Sequence, residues 1–138
     1  MASPRHTLVM TFLNFSHVRI FEEFLAHVLT GEEGNAEKGG HLSGLRRENK
    51  TEFPPEWDEE HIRHALESVL ASPQYVEIVG YKVVLSRIVA GVNIQVVLIS
   101  RQSALMPFAA YPTGGPGVIQ NIMGVQHPLP LHNPRNGR

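Results

Sequence analysis

The chain is predicted to be an α+β domain, with helices and a glycine-rich loop first and an antiparallel β-meander after them. Three observations predict this. Apolar stripes at helical spacing lie within residues 16–29 and 58–72. Runs rich in Val, Ile, Leu and Tyr fill residues 75–112, separated by short breaks. A length of 138 residues suits one two-layer core. Residues 1–138 therefore read as a single domain, with its core at about 16–113 and a Gly/Pro-rich tail at 114–138.

The elements follow in order. "RHTLVMTFL" (5–13) reads as a short strand. From Ser16, Phe21, Phe24, Leu25, Val28 and Leu29 recur at i, i+3, i+4, i+7 and i+8, which predicts a helix over 16–29. Ser16 is its expected N-cap and Gly31 its stop, so His27 falls in the last turn, off the apolar stripe. Residues 31–55 hold five glycines and two prolines, a long loop of the kind that is usually functional. A second helix begins after Asp58, with Glu59 and Glu60 complementing its N-terminal dipole. Its buried face is Ile62, Ala65, Leu66, Val69 and Leu70, and Pro73 ends it; His61 and His64 read as surface residues. Then "YVEIVG", "YKVVLSRIV", "VNIQVVLIS" and "LMPFAAYP" form three or four strands, punctuated by Gly80, Gly91 and residues 101–103. The tail has no period. It is expected to wrap over the domain or a partner subunit, or to fray, and its apolar residues make a homodimer conceivable.

Composition removes several function classes. A net charge of −1 gives no general electrostatic grip on nucleic acid, so an anionic ligand needs a local cluster of cations. With no cysteine there is no disulfide, thiolate zinc site or thiol nucleophile. The apolar run from Leu8 to Leu13 is too short to span a membrane and lacks a small-residue cleavage site. The chain begins with Met, and a free-standing cytoplasmic protein is expected.

The chemistry concentrates in "FLAHVLTGEEGNAEKGGHLSGLRRENKTEFP" (24–54). Taken singly, its polar residues have ordinary explanations. A histidine near a helix C-terminus is favoured by the dipole, a histidine between glycines caps a turn, and a loop lysine is solvated. Together, His27, His41 and Lys50 make a different pattern. Histidine alone can serve as acid and as base near neutral pH, and a reaction that moves two protons needs two of them. A nearby ammonium stabilises the charge of a pentavalent phosphorus. The glycines, Gly40 among them, let backbone approach a ligand. Two imidazoles and one ammonium are the minimal kit for cleaving RNA through its own 2′-hydroxyl.

"HVLTGE" (27–32) is similar to the H-[VI]-x-x-G-[DE] motif of the EndoU endoribonucleases. "GGHLSG" (39–44) with "KTEFPPEW" (50–57) resembles the bacterial branch of that family, including toxin domains of contact-dependent inhibition proteins. "AAYP" (109–112) stands where the family has T-x-Y-P. The resemblance covers about residues 20–113. It implies cleavage of single-stranded RNA at uridines or other pyrimidines, leaving a 2′,3′-cyclic phosphate and a 5′-hydroxyl. It further implies that no cofactor or metal is required, although Mn²⁺ can stimulate, and that an immunity protein is a partner if the domain is a toxin. The catalytic trio maps onto His27, His41 and Lys50, and the ribose- or base-packing tyrosine onto Tyr111. Lys82, the competing lysine, lies in a strand-like run. The family threonine falls on Ala109, so Thr113 or Ser43 is expected to take its place, or base preference is relaxed. Two rivals stand beside this reading: a phosphate- or RNA-binding module of the same fold without turnover, and a metal site of His27, His41 and Glu32 or Glu37.

Overall fold

The computed structural model describes residues 5–8, 14–32 and 38–131. In chain order the elements are β1 (Arg5–Leu8), α1 (Glu22–Thr30), β2 (Thr51–Glu52), α2 (Glu59–Ala71), β3 (Tyr75–Val79), β4 (Lys82–Val89), β5 (Val92–Arg101), β6 (Ala104–Gly114), β7 (Ile119–Ile122) and β8 (Val125–Pro128). The α+β class and the single domain agree with expectation. Residues 9–13 of the expected first strand, and Glu37, lie outside the described residues.

β3 to β6 form the expected antiparallel meander, and β1 adds a fifth strand beside β3, with Arg5 opposite Val79. Two-residue turns join the meander. Ala90 and Gly91, and likewise Gln102 and Ser103, both have positive φ. That mirror-image turn geometry follows the right-handed twist of the strands. α2 packs on β4 and β5, and α1 packs on β6. The core joins Phe24, Leu25 and Val28 of α1 to the predicted stripe of α2 and to Val76, Leu85, Ile94, Val96 and Leu98 of the sheet. No helix among the described residues is long and apolar enough to cross a membrane.

α2 starts where the sequence places it, with the Asp58 side chain accepting from the His61 N–H at 2.8 Å. α1 does not. Ser16 is in a turn, and the N-cap is Phe21, in extended backbone and without a side-chain cap bond. Val18 and Ile20 are both buried, a two-residue alternation that draws the chain into the core as an extended strip. Arg63 of α2 then donates to the Ile20 carbonyl at 3.2 Å, bonding a group that a longer helix would have used itself.

The tail wraps over its own domain. β7 and β8 form a hairpin whose first strand pairs with β2, giving a three-stranded sheet in the order β2-β7-β8. Residues 119–128 therefore belong to the folded domain, beyond the core boundary at 113 expected from the sequence. The middle of the helical layer is its most sensitive point. Leu66 has no exposed surface, and Leu66→Ala is expected to cost about 2–5 kcal/mol by lost burial plus cavity. Urea denaturation measures this, and a cost below about 1 kcal/mol would mean that the layer closes over the gap.

Candidate active site

His27 is held in the last turn of α1, whose carbonyls need partners that the helix cannot provide. The returning loop provides them. The His27 carbonyl accepts from Gly31 N at 2.9 Å and Gly40 N at 3.2 Å; Val28 O accepts from His41 N at 2.8 Å, and Leu29 O from Leu42 N at 3.0 Å. The backbone of His41 is thus bonded to the residue after His27. Gly39 makes this approach feasible: a Cβ there would lie 2.0 Å from the His27 carbonyl oxygen. Gly40, at φ +83°, lies under the Arg47 side chain, where a Cβ would come within 2.6 Å of Arg47 Cδ.

Lys50 is fixed from the opposite side. Glu52 is buried, and its carboxylate accepts from Gly44 N at 2.9 Å, Arg46 N at 2.7 Å and Asn121 Nδ2 at 3.0 Å. Asn121, on β7, also donates to the Lys50 carbonyl from its backbone N–H at 3.0 Å and from Nδ2 at 3.2 Å. One buried carboxylate and one buried amide therefore fold residues 44–52 into a fixed loop.

The outcome is an open cleft of about 720 Å³ into which His27, His41, Lys50 and Tyr111 all face. Phe108, Ala109 and Gln120 line it as well, and so do Glu32 and Lys38. Tyr111 stacks on His41, with ring centroids 5.7 Å apart. Phe108 is the extra residue between the paired positions Pro107 and Ala109, a bulge where proline cannot continue the ladder. Its half-exposed ring borders the cleft with the Lys82 ammonium 5.6 Å from its centre.

The two imidazoles have different surroundings. His41 is 7% exposed, and its Nδ1–H donates to the Thr51 carbonyl at 2.7 Å, a tautomer that leaves Nε2 as an acceptor. Burial pushes its pKa down to about 4; the bond to Thr51 opposes this, while Lys50 and His27 add to it. His27 is less buried, and its Nδ1 lies 4.0 Å from Glu32 Oε2. Its pKa is also lowered, by burial first and by Lys38 and Lys50, with Glu32 pulling the other way. Burial raises the Tyr111 phenol.

Other expected residues stand elsewhere. Thr113 is bonded to Asn93, accepting from its Nδ2 at 2.6 Å and donating to its carbonyl at 3.3 Å, and it does not line the cleft. Ser43 is outside the lining too, and Gly40 contributes through its backbone bond to α1. Among the described residues no group of three His, Cys, Asp or Glu side chains is placed to hold a metal ion. Gln120, Asn121 and Glu52 were not marked by the sequence; a glutamate in a polar loop and amides in a Gly/Pro-rich tail carry no periodic signal. No protein-family model, curated protein or solved structure matches the chain.

Two measurements test this construction. In the folded state His41 resists protonation, whereas unfolded it titrates near its ordinary 6.5. Between these values the unfolded chain binds more protons, so stability falls as pH drops from about 6.5 towards about 4, by up to about 1.4 kcal/mol per pH unit. Chemical denaturation at successive pH values should show this slope, and His41→Phe should flatten it; an unchanged slope would assign the acid sensitivity to other groups. Glu52→Gln keeps the shape but sets an NH₂ against at least one bonded donor, at a cost of about 1–3 kcal/mol. A neutral result in urea would show that the three bonds to Glu52 do not hold the loop.

Proposed function

We propose that this cleft cleaves single-stranded RNA in the manner of the EndoU endoribonucleases, by internal attack of the 2′-hydroxyl. The observation that carries the reading is the convergence of His27, His41, Lys50 and Tyr111 on one cleft. Folding brings these side chains together from α1, the glycine loop, the approach to β2, and β6.

His41 is the base. It is neutral near pH 7 because of burial, and its Nδ1–H is committed to Thr51, so Nε2 can take the 2′-hydroxyl proton. The 2′-oxygen bonds to phosphorus, the P–O5′ bond breaks, and His27 gives its proton to the departing 5′-oxygen. The products are a 2′,3′-cyclic phosphate and a 5′-hydroxyl. Glu32 favours the protonated form of His27, as the acid requires, and an anionic phosphate in the cleft adds to that effect. Lys50 faces the charge that builds on the phosphoryl oxygens. Tyr111 offers a face for the ribose or base. None of these steps uses a metal, so the reading expects activity in chelator, with Mn²⁺ as a stimulant only, on RNA met in the cytoplasm.

The experiment is cleavage of a fluorescent oligonucleotide carrying a single ribonucleotide. His27→Ala and His41→Ala are each expected to lose at least about 100-fold in rate, and a deoxyribose at the scissile position should abolish cleavage. Both imidazoles titrate below their ordinary value, so kcat/KM, which reports the free enzyme, should be bell-shaped in pH with its maximum on the acid side of 6.5. Near-full activity in either variant, or cleavage of all-deoxy substrate, overturns the mechanism.

A further inference from the structure

We propose that Gln120, on the C-terminal hairpin, is the residue that reads the base and that it selects pyrimidines. This rests on the cleavage reading above and assigns the specificity of the same site. β7 alternates its side chains across the small sheet. Asn121 points into the protein, bonded to Glu52 and Lys50, while its neighbour Gln120 lines the cleft with Lys50, Thr51 and Tyr111. Gln120 is paired with Thr51 across β2 and β7, so its backbone is tied to the strand whose carbonyl holds His41. Its Nε2 donates to the Asn49 carbonyl at 3.4 Å, a long bond that orients the amide. That bond uses one of its two N–H groups, and among the described residues nothing donates to its Oε1.

The amide therefore presents a donor and an acceptor side by side. Uracil answers with N3–H and O4, and cytosine with N4–H and N3, the amide turned over. Both pyrimidines can be bonded, one with the amide as it stands and the other with the amide turned over at the loss of one long bond to Asn49. A purine carries its Watson–Crick edge one ring farther from the ribose. With the ribose fixed against Tyr111 and the histidines, that edge overshoots a strand-mounted amide. Ala109, in the same cleft, supplies no hydroxyl, and the hydroxyl of Thr113 is bonded to Asn93. Asn49 also lines the cleft, but on an exposed turn at φ +68° rather than on a strand.

The test uses oligodeoxynucleotides with one ribonucleotide, U, C, A or G, and the variants Gln120→Met and Gln120→Ala, with Gln126→Ala on the exposed β8 as control. The wild type and the control should cleave at U and C at comparable rates and at purines at least about 10-fold more slowly. Both Gln120 variants should lower the pyrimidine-to-purine ratio by about 10-fold. A ratio is unaffected by the fraction of a variant that folds. An unchanged ratio in both Gln120 variants, or a wild type without pyrimidine preference, overturns the assignment of Gln120 and leaves the cleavage reading intact. If the wild type cleaves nothing, the cleavage reading fails, and titration with uridine, cytidine, adenosine and guanosine 3′-monophosphates decides the inference. Pyrimidine-selective binding lost in Gln120→Met supports base reading, and equal binding of all four overturns it.

Discussion

A helix that ends inside a protein must find donors for its last carbonyls, and the cleft depends on how α1 meets that need. Gly40, His41 and Leu42 donate to the carbonyls of His27, Val28 and Leu29 in turn. The loop therefore runs alongside the helix end for three residues, and the imidazole of His41 is carried to that of His27. Leaving the Val28 and Leu29 carbonyls unbonded in the interior would cost about 1–3 kcal/mol each, so backbone chemistry holds His41 beside the end of α1. Gly39 is part of the same constraint, because only a residue without a side chain lets the strands of chain come so close.

The burial that positions His41 also sets its chemistry. An imidazole 7% exposed and bonded through Nδ1 has one state available near neutral pH, the neutral one. His27, more open and beside Glu32, is the more easily protonated partner in kind, although it too is depressed. Two copies of one side chain thus meet different electrostatic surroundings through folding alone. The backbone at Lys50 is placed by a further device, the buried Glu52–Asn121 pair, and the Thr51 carbonyl between Lys50 and Glu52 ties that loop to the His41 ring.

Much of this was legible from residues. The α2 stripe with its Asp58 cap and the punctuated strands after residue 75 follow from local patterns, and the structure repeats them. Residue type and motif single out His27, His41, Lys50 and Tyr111, and all four line the cleft. The start of α1 is not legible in the sequence, because Phe21 suits a helical stripe, whereas Val18 and Ile20 are buried by an alternation too short to register. Thr113 resembled a base reader because a hydroxyl near Tyr111 has the right chemistry; its bond to Asn93 exists only once β5 and β6 pair. Glu52 and Asn121 were illegible for a general reason. A buried polar group is defined by its partners, and these lie as far as 71 positions away along the chain.

That separation bears on synthesis. A ribosome adds Lys50 long before Asn121, and in the interval the loop around Glu52 lacks one of its three donors and Lys50 lacks both bonds to its carbonyl. The backbones of the two histidines can be aligned early, by contacts fourteen residues apart or fewer, while the Lys50 carbonyl is bonded only when the final hairpin closes on β2. Long-range closure of this kind is slow compared with local contacts. During synthesis, therefore, the loop that carries Lys50 gains its last hydrogen bonds only after the final strands have emerged.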